Sequence, residues 1–293
     1  MHRLLQNRST LLWFLVPGLT LYIATVLVPI GSSAYYSLVD WSGIGDPEFV
    51  GIENYMRMFT DAALGNAIVN TLLLTVAELV LVVGGGLLLA WLLTKIYVFR
   101  QTLVVLYCVP IIVSTAAMAQ MFKIFLSVRP PGIVNSLLAQ INPAWIDLEW
   151  LTNPDTSLAM VALVTSYRDV PIYMLIFYAA LLNVPPTLME AARIDGAGAF
   201  RTFVSIQIPY ILPIVGAVAF LVLNDALRAY DIPALLTAGG PISSSEVQSL
   251  YMYKQLFQNQ NYGYGSAIAM LIVVMSMVLG FVITRSTDRK IVR

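Results

Sequence analysis

The sequence has few charged residues. Of its 293 residues 11% are charged, whereas 59% are hydrophobic and the mean hydropathy is +0.80. A soluble globular chain carries roughly 25% charged residues, because such side chains cover much of its water-exposed surface. A soluble enzyme is therefore excluded. A disordered chain is excluded as well, since it needs low hydrophobicity and a high net charge.

Cysteine and histidine are nearly absent, with Cys108 and His2 as the single examples. One cysteine excludes an intramolecular disulfide, and one histidine excludes both a His-based metal site and a Ser-His-Asp triad. The phosphate-binding pattern Gly-x-x-x-x-Gly-Lys-Ser/Thr does not occur either. Gly84-Gly85-Gly86 lies in an apolar run with no lysine after it, so close helix packing explains it better than nucleotide binding.

Six apolar segments reach the length of about 20 residues that a helix needs to cross the hydrocarbon core. They are Leu11–Ser32, Ala67–Leu93, Thr102–Leu126, Leu158–Leu182, Ile208–Asn224 and Ser266–Thr284. The first follows a basic start, as a signal peptide does, but it is long and lacks a small-residue cleavage site, so we interpret it as a retained span. Kinks are expected at Pro17, Pro29, Pro110, Pro171 and Pro213. We predict an all-α polytopic membrane protein with one transmembrane domain over residues 1–293.

The net charge of zero is the sum of two opposite groups of loops. Segments 1–10, 94–101, 183–207 and 285–293 hold ten basic and three acidic residues, a net charge of +7. Segments 33–66, 127–157 and 225–265 hold four basic and eleven acidic residues, a net charge of −7. Lys and Arg are retained on the cytoplasmic side of a membrane. The pattern therefore predicts six spans with both termini in the cytoplasm.

The segment between the fourth and fifth predicted spans, residues 183–207, is predicted to form a helix–turn–helix that we call the elbow. Pro185-Pro186 ends the preceding helix, because proline lacks an N–H and restricts the residue before it. Thr187 and Glu190 have the spacing of a capping box. Asp195-Gly196 predicts the end of that helix, with glycine in the left-handed conformation. A second short helix is predicted from Ala199 to a point before Pro209.

The elbow resembles the EAA loop of the permeases of ABC importers. That loop has the pattern Glu-Ala-Ala, three residues, Gly, nine residues, and Ile-x-Leu-Pro, which this chain matches from Glu190 to Pro209 except that Ile208 replaces Leu. Four more segments resemble the MalF-like members of the carbohydrate-uptake group: Phe49–Tyr55, Leu236–Pro241, Tyr251–Tyr253 and Tyr262–Ala267. Together the resemblance covers residues 10–285.

The resemblance implies a half-transporter of a bacterial or archaeal cytoplasmic (inner) membrane. It implies no cofactor on this chain, with ATP and Mg²⁺ bound by a partner. The implied partners are a second homologous permease, two ATP-binding subunits, an extracytoplasmic substrate-binding protein, the sugar and membrane lipid, and no nucleic acid is among them. The residues implied to couple the chain to the ATP-binding subunit are Glu190, Ala191, Ala192, Asp195, Gly196 and Ala197.

Polar side chains in the spans are candidates for the substrate pathway, because polar groups in a membrane are costly without a function. Asn224, Arg228 and Asp231 have helix-face spacing, with Asp225 and Tyr230 beside them. A structural pair of Arg228 with Asp225 or Asp231 is the alternative.

Arg168, Asp169 and Glu78 form the second candidate group. Neighbouring residues of a helix point about 100° apart. We therefore expect Arg168 to pair with Glu78 rather than with Asp169. This pair either holds two helices together or contacts the substrate.

Three other functions are weighed against the sugar importer. The same machinery could import glycerol-3-phosphate or a related phosphodiester, with Arg168 or Arg228 binding the phosphate. A secondary transporter would show paired broken segments in the two halves of the chain, which are not found. A membrane-embedded enzyme would need a catalytic cluster, whereas the acidic residues are scattered along the predicted outer loops.

Overall fold

The computed structural model describes residues 8–291, and these are mostly helical. Twelve helices are labelled in chain order, and four of them contain a π-helical turn. They are α1 (Arg8–Tyr22, Ile23–Leu27 and Val28–Tyr36), α2 (Glu53–Met58), α3 (Ala62–Glu78, Leu79–Gly84 and Gly85–Lys95), α4 (Arg100–Ile112), α5 (Thr115–Phe125), α6 (Ile133–Ala139), α7 (Pro154–Leu182), α8 (Pro186–Ile194), α9 (Ala199–Thr202, Phe203–Gln207 and Ile208–Tyr210), α10 (Leu212–Leu227), α11 (Gln248–Tyr253 and Lys254–Gln258) and α12 (Tyr262–Ile291). The predicted helical class is confirmed.

Shorter elements complete the described chain. A 3₁₀ turn covers Pro143–Asp147 and a separate π-helical turn covers Pro233–Thr237. Strands β1 (Val39–Asp40) and β2 (Glu48–Phe49) pair antiparallel, with Val39 opposite Phe49, and this small hairpin was not expected from the sequence.

Four stretches of helix are long and apolar enough to cross a membrane: Leu15–Tyr36, Ala62–Lys95, Pro154–Leu182 and Tyr262–Ile283. Two further pairs, α4 with α5 and α9 with α10, qualify together but are bent by 97° and 76°. The described residues therefore supply between four and six candidate spans, and six if each bent pair is one span.

The bends are larger than the proline kinks that we expected. The predicted third span breaks at Val113, which is extended, and Ser114 then caps α5 by accepting a hydrogen bond from the Ala117 N–H at 3.3 Å. Pro110 lies within α4 without ending it. Pro213 lies in the first turn of α10, where its missing N–H costs nothing, so it begins a helix rather than kinking one.

The described chain divides into two compact units. The first comprises the described residues up to Asp61 together with Met252–Leu271, and the second comprises Ala62–Tyr251 together with the described residues from Ile272.

In the second unit, α3 packs closely against α7. A Cβ atom on Gly86 would lie 3.2 Å from the backbone nitrogen of Met174, so the close packing predicted for the triple glycine holds at this position. Gly84 and Gly85 have more room. Apolar side chains fill the same interface, with Met174 and Phe177 of α7 fully buried.

In the first unit, a buried polar network joins the β-hairpin, α2 and the start of α12. The amide of Asn54 donates to the carbonyls of Ser37 and Val39, at 3.1 and 2.9 Å. The Trp41 carbonyl accepts from the Tyr262 N–H at 3.0 Å. Gly263 lies against the Val39 carbonyl so closely that a Cβ atom would overlap it. Two of the segments that carry the family resemblance, Phe49–Tyr55 and Tyr262–Ala267, thus stabilise one another.

We expect Gly263→Ala to destabilise the protein by roughly 1–3 kcal/mol, the usual range for overpacking, because the obstacle is a backbone oxygen that cannot rotate away. The measurement is the thermal unfolding midpoint of the purified protein in detergent. The matched control is Gly65→Ala on α3, where an added Cβ meets nothing within 4 Å. Equal midpoints for the two variants would contradict the assigned contact.

Candidate functional site

A cavity of about 320 Å³ lies in the second unit and is lined by charged side chains. We call it the charged cavity, and its lining residues are Glu78, Thr165, Arg168, Asp169, Asp225, Arg228, Ala229, Tyr230, Asp231, Ile232 and Pro233. They come from α3, α7, the end of α10 and the chain that follows it. The two groups of candidate pathway residues, separate in the sequence, thus meet here. Asn224 is the exception: its amide donates to the Phe220 carbonyl at 2.9 Å and it does not line the cavity.

The end of α10 positions one wall of the charged cavity. The helix stops at Leu227, and the N–H groups of Arg228 and Ala229 bond back to the carbonyls three residues earlier, each at 3.2 Å. The chain then re-enters a helical turn at Asp231. The prediction that Asn224, Arg228 and Asp231 share one helix face was therefore wrong.

Arg228 makes no ion pair within residues 8–291. The alternative in which it pairs with Asp225 or Asp231 is thus not what the structure contains. Its side chain is exposed, as are those of Asp225 and Asp231.

Arg168 pairs with its neighbour Asp169. Its Nε donates to Oδ1 at 2.7 Å and its Nη2 to Oδ2 at 3.1 Å, a bidentate geometry. The expected pair with Glu78 is not formed, because the long arginine side chain bends across the 100° that separates adjacent helical positions. A further N–H of Arg168 reaches Thr115 Oγ1 at 3.4 Å.

Glu78 is buried at the point where α3 passes into its π-helical turn. Its exposed fraction is 2%, and its Oε1 accepts no hydrogen bond. Single π-helical turns inside α-helices occur frequently at functional sites. Asp225, another carboxylate of the cavity, accepts a hydrogen bond from the hydroxyl of Tyr173 at 2.8 Å. This bond joins α7 to α10.

Five residues of the site were not expected from the sequence. Four of them line the cavity, namely Thr165, Ala229, Ile232 and Pro233, and the fifth, Thr115, contacts Arg168. Thr165 precedes Arg168 by three residues, a spacing that places both on one helix face and could have identified it. Thr115 lies on α5 beyond the unexpected bend, so no spacing in the sequence connects it with Arg168.

The elbow forms α8 and α9, with two differences from expectation. Helix α8 begins at Pro186 with Pro185 as N-cap and has no side-chain cap, so the capping box of Thr187 and Glu190 was wrong. Proline has a φ suited to the first helical position, and it starts the helix one residue before Thr187 could cap it. Helix α9 continues through Pro209 to Tyr210 instead of ending before it.

The end of α8 matches the prediction. Gly196 has a φ of +72°, and its N–H bonds to the Arg193 carbonyl at 3.1 Å. The Ala197 N–H bonds to the Ala192 carbonyl at 2.9 Å. These are the two bonds of a Schellman motif, which fixes the direction in which the chain leaves the helix.

One face of α8 is exposed and carries most of the candidate coupling residues. Glu190, Ala191, Asp195 and Gly196 are exposed and Ala197 is half-buried, whereas Ala192 is buried. Ile194 is 86% exposed and Phe200 at the start of α9 is 66% exposed. Large apolar side chains exposed in this way are typical of an interaction surface.

Known families and proteins match this chain over most of its length. Residues 86–293 match the family model described as "Binding-protein-dependent transport system inner membrane component". The chain is 31% identical to the probable ABC transporter permease protein YurN of Bacillus subtilis, with 94% of each chain covered. It is 29% identical to the multiple sugar-binding transport system permease protein MsmF of Streptococcus mutans, with 89% of each covered.

The fold is also found in a solved structure. A chain of a bacterial alginate ABC transporter, crystallised with an alginate pentasaccharide-bound periplasmic protein, superimposes with a TM-score of 0.84 at 22% identity, covering 97% of this chain and 96% of that one. The apolar helices and the family match indicate a multi-pass membrane protein. The chain belongs to the family of binding-protein-dependent transport system inner membrane components, and the resemblance to ABC permeases is confirmed.

The Arg168–Asp169 pair is testable by a double-mutant cycle. We expect Arg168→Gln and Asp169→Asn each to lower the free energy of unfolding by about 1–3 kcal/mol, because each leaves a partly buried charge uncompensated. The double variant should lose less than the sum of the two. Thermal unfolding in detergent gives the energies, and Arg168→Gln combined with Glu78→Gln is the control, for which we expect a smaller coupling energy because no hydrogen bond joins the two side chains. A coupling energy in the control cycle equal to or larger than that in the first cycle would contradict the pairing.

Proposed function

We propose that this chain is one half of the transmembrane pathway of an ATP-driven sugar importer in a bacterial or archaeal cytoplasmic membrane. The charged cavity is the observation that carries the proposal. It presents carboxylate oxygens, a guanidinium and a tyrosine, which together accept and donate the hydrogen bonds that sugar hydroxyls need. The names of two relatives support a sugar as the substrate. One is called a multiple sugar-binding transport system permease protein and the other a probable starch degradation products transport system permease protein.

In the proposed topology each bent pair, α4 with α5 and α9 with α10, is one span, which gives six spans in all. The charge distribution supports this direction, since the loops with a net charge of +7 then all lie in the cytoplasm together with both termini. The elbow is one of these cytoplasmic loops.

The elbow is proposed to couple the pathway to a separate ATP-binding subunit, which binds ATP and Mg²⁺ and carries out the hydrolysis. Its exposed face, with Glu190, Ala191 and Ile194, would dock in a groove of that subunit. The Schellman motif at Gly196 supports this role, because a fixed angle between α8 and α9 transmits force instead of absorbing it.

The complete transporter is proposed to contain this chain, a second homologous permease, two ATP-binding subunits and an extracytoplasmic substrate-binding protein. The family description supports the last of these partners by its reference to binding-protein dependence. The solved alginate transporter contains a periplasmic protein loaded with its oligosaccharide.

The proposal is tested by reconstituting the complete complex in liposomes. We expect the binding protein loaded with its sugar to stimulate ATP hydrolysis several-fold and to drive uptake of the labelled sugar, because the loaded protein signals an occupied pathway. Hydrolysis of ATP is measured by phosphate release, with the empty binding protein as the control. An ATPase rate that the loaded binding protein leaves unchanged would overturn the proposal.

The elbow is tested separately with Gly196→Val. A β-branched residue is strongly disfavoured at a φ of +72°, so this change should alter the angle between α8 and α9 and reduce sugar uptake per ATP hydrolysed. The matched control is Gly198→Val: this glycine is equally open, but its φ of −65° and ψ of 162° suit valine. If the two variants took up the same amount of sugar per ATP hydrolysed, the coupling role of the elbow would be contradicted.

A further inference from the structure

The charged cavity carries an excess of negative charge. Its lining contains four carboxylates, from Glu78, Asp169, Asp225 and Asp231, against two guanidinium groups, from Arg168 and Arg228, a formal net charge of −2. Arg168 is already engaged by Asp169 through two hydrogen bonds. An anionic ligand would therefore find one uncommitted cation, Arg228, among a majority of acidic groups.

Glu78 lacks a donor although it is almost completely buried. Its exposed fraction is 2%, and its Oε1 accepts no hydrogen bond within the described chain. Leaving a buried polar atom unsatisfied costs free energy, so native structures generally supply a partner. Within the described residues no protein group donates a hydrogen bond to Oε1.

Several protein donors near the charged cavity are directed at other acceptors. The Thr165 hydroxyl donates to the Val161 carbonyl at 2.9 Å, and the Tyr173 hydroxyl donates to Asp225 at 2.8 Å. Three of the five N–H groups of Arg168 are directed at Asp169 and Thr115, and the Arg228 side chain is exposed. A donor for Glu78 is thus to be expected from a molecule that enters the cavity.

We propose that Glu78 is a specificity-determining residue which binds a hydroxyl or ammonium group of the sugar, so that the charged cavity accepts neutral or cationic sugars and rejects those bearing a carboxylate, phosphate or sulfonate. This inference rests on the proposed function, because it takes the cavity as part of the pathway. It excludes glycerol-3-phosphate and its diesters. It also separates this chain from the transporter of similar fold that imports alginate, an acidic polysaccharide.

The test uses the purified complex in detergent without its binding protein, whose own selectivity then does not contribute. Binding of glucose, glucosamine and glucuronate, which share one ring skeleton, is measured by saturation-transfer difference NMR. We expect glucosamine and glucose to bind at least about ten-fold more tightly than glucuronate, a difference of about 1.4 kcal/mol. Glu78→Gln, which keeps the shape of the side chain, should remove most of that difference.

Two further variants keep the result interpretable. Glu48→Gln makes the same change on β2, outside the cavity lining, and should leave the three affinities unchanged. Asp231→Asn removes an exposed charge of the cavity and should raise the relative affinity of glucuronate even if Glu78→Gln does not fold.

Equal affinities of glucose and glucuronate for the wild-type complex would overturn the inference, as would affinity ratios that neither cavity variant changes. Failure of all three sugars to bind a complex whose ATPase responds to its loaded binding protein would also overturn it, while the proposed function would stand. If the ATPase does not respond, the proposed function itself fails.

Discussion

A hydrocarbon environment supplies no hydrogen bonds, and this constraint governs both the backbone and the charged side chains of the chain. The long apolar stretches satisfy their backbone groups internally as helices. The charges within them are satisfied locally: Arg168 binds Asp169 and Tyr173 binds Asp225. Glu78 is one of several buried side chains with an unsatisfied polar atom among the described residues, and it is the carboxylate among them that lines the charged cavity. In the proposed transporter a ligand would supply the hydrogen bond that offsets the desolvation of Oε1.

Sequence reasoning succeeded where a single local property decides the structure. A long apolar run predicts a helix because a helix satisfies all the backbone groups of the run within one segment. Gly196 ends α8 because glycine has the freedom for a φ of +72°. It failed where two local preferences compete. Pro186 and Thr187 both favour the start of a helix, and proline won. The break at Val113 and Ser114 was not predicted either, because an N-cap residue such as Ser114 can start a new helix inside an apolar run without any proline.

The sequence predicted which charged residues belong to the candidate site better than it predicted how they pair. Glu78 and Arg168 could be selected because charge is costly inside a span, and the structure brings both into one cavity with Arg228. Their partners could not be selected, because the direction of a flexible arginine depends on its rotamer and not on its spacing. Two of the other segments that carry the family resemblance stabilise the scaffold. Asn54 and Gly263 hold the β-hairpin against the start of α12.

The elbow and the charged cavity are linked along the chain by helices on both sides, α7 on one side and α9 with α10, across their 76° bend, on the other. Helix α7 ends at Leu182 just before α8, and with a rise of 1.5 Å per residue Arg168 lies about 21 Å away along the same helix. On the other side, α9 leads into α10, whose last turn carries Asp225. The hydrogen bond between Tyr173 and Asp225 joins the two helices at the cavity. In the proposed transporter, a displacement of α8 by an ATP-binding subunit therefore acts on both helices at once. Transmission of that displacement along α7 and α10 would change the walls of the cavity that Glu78 lines.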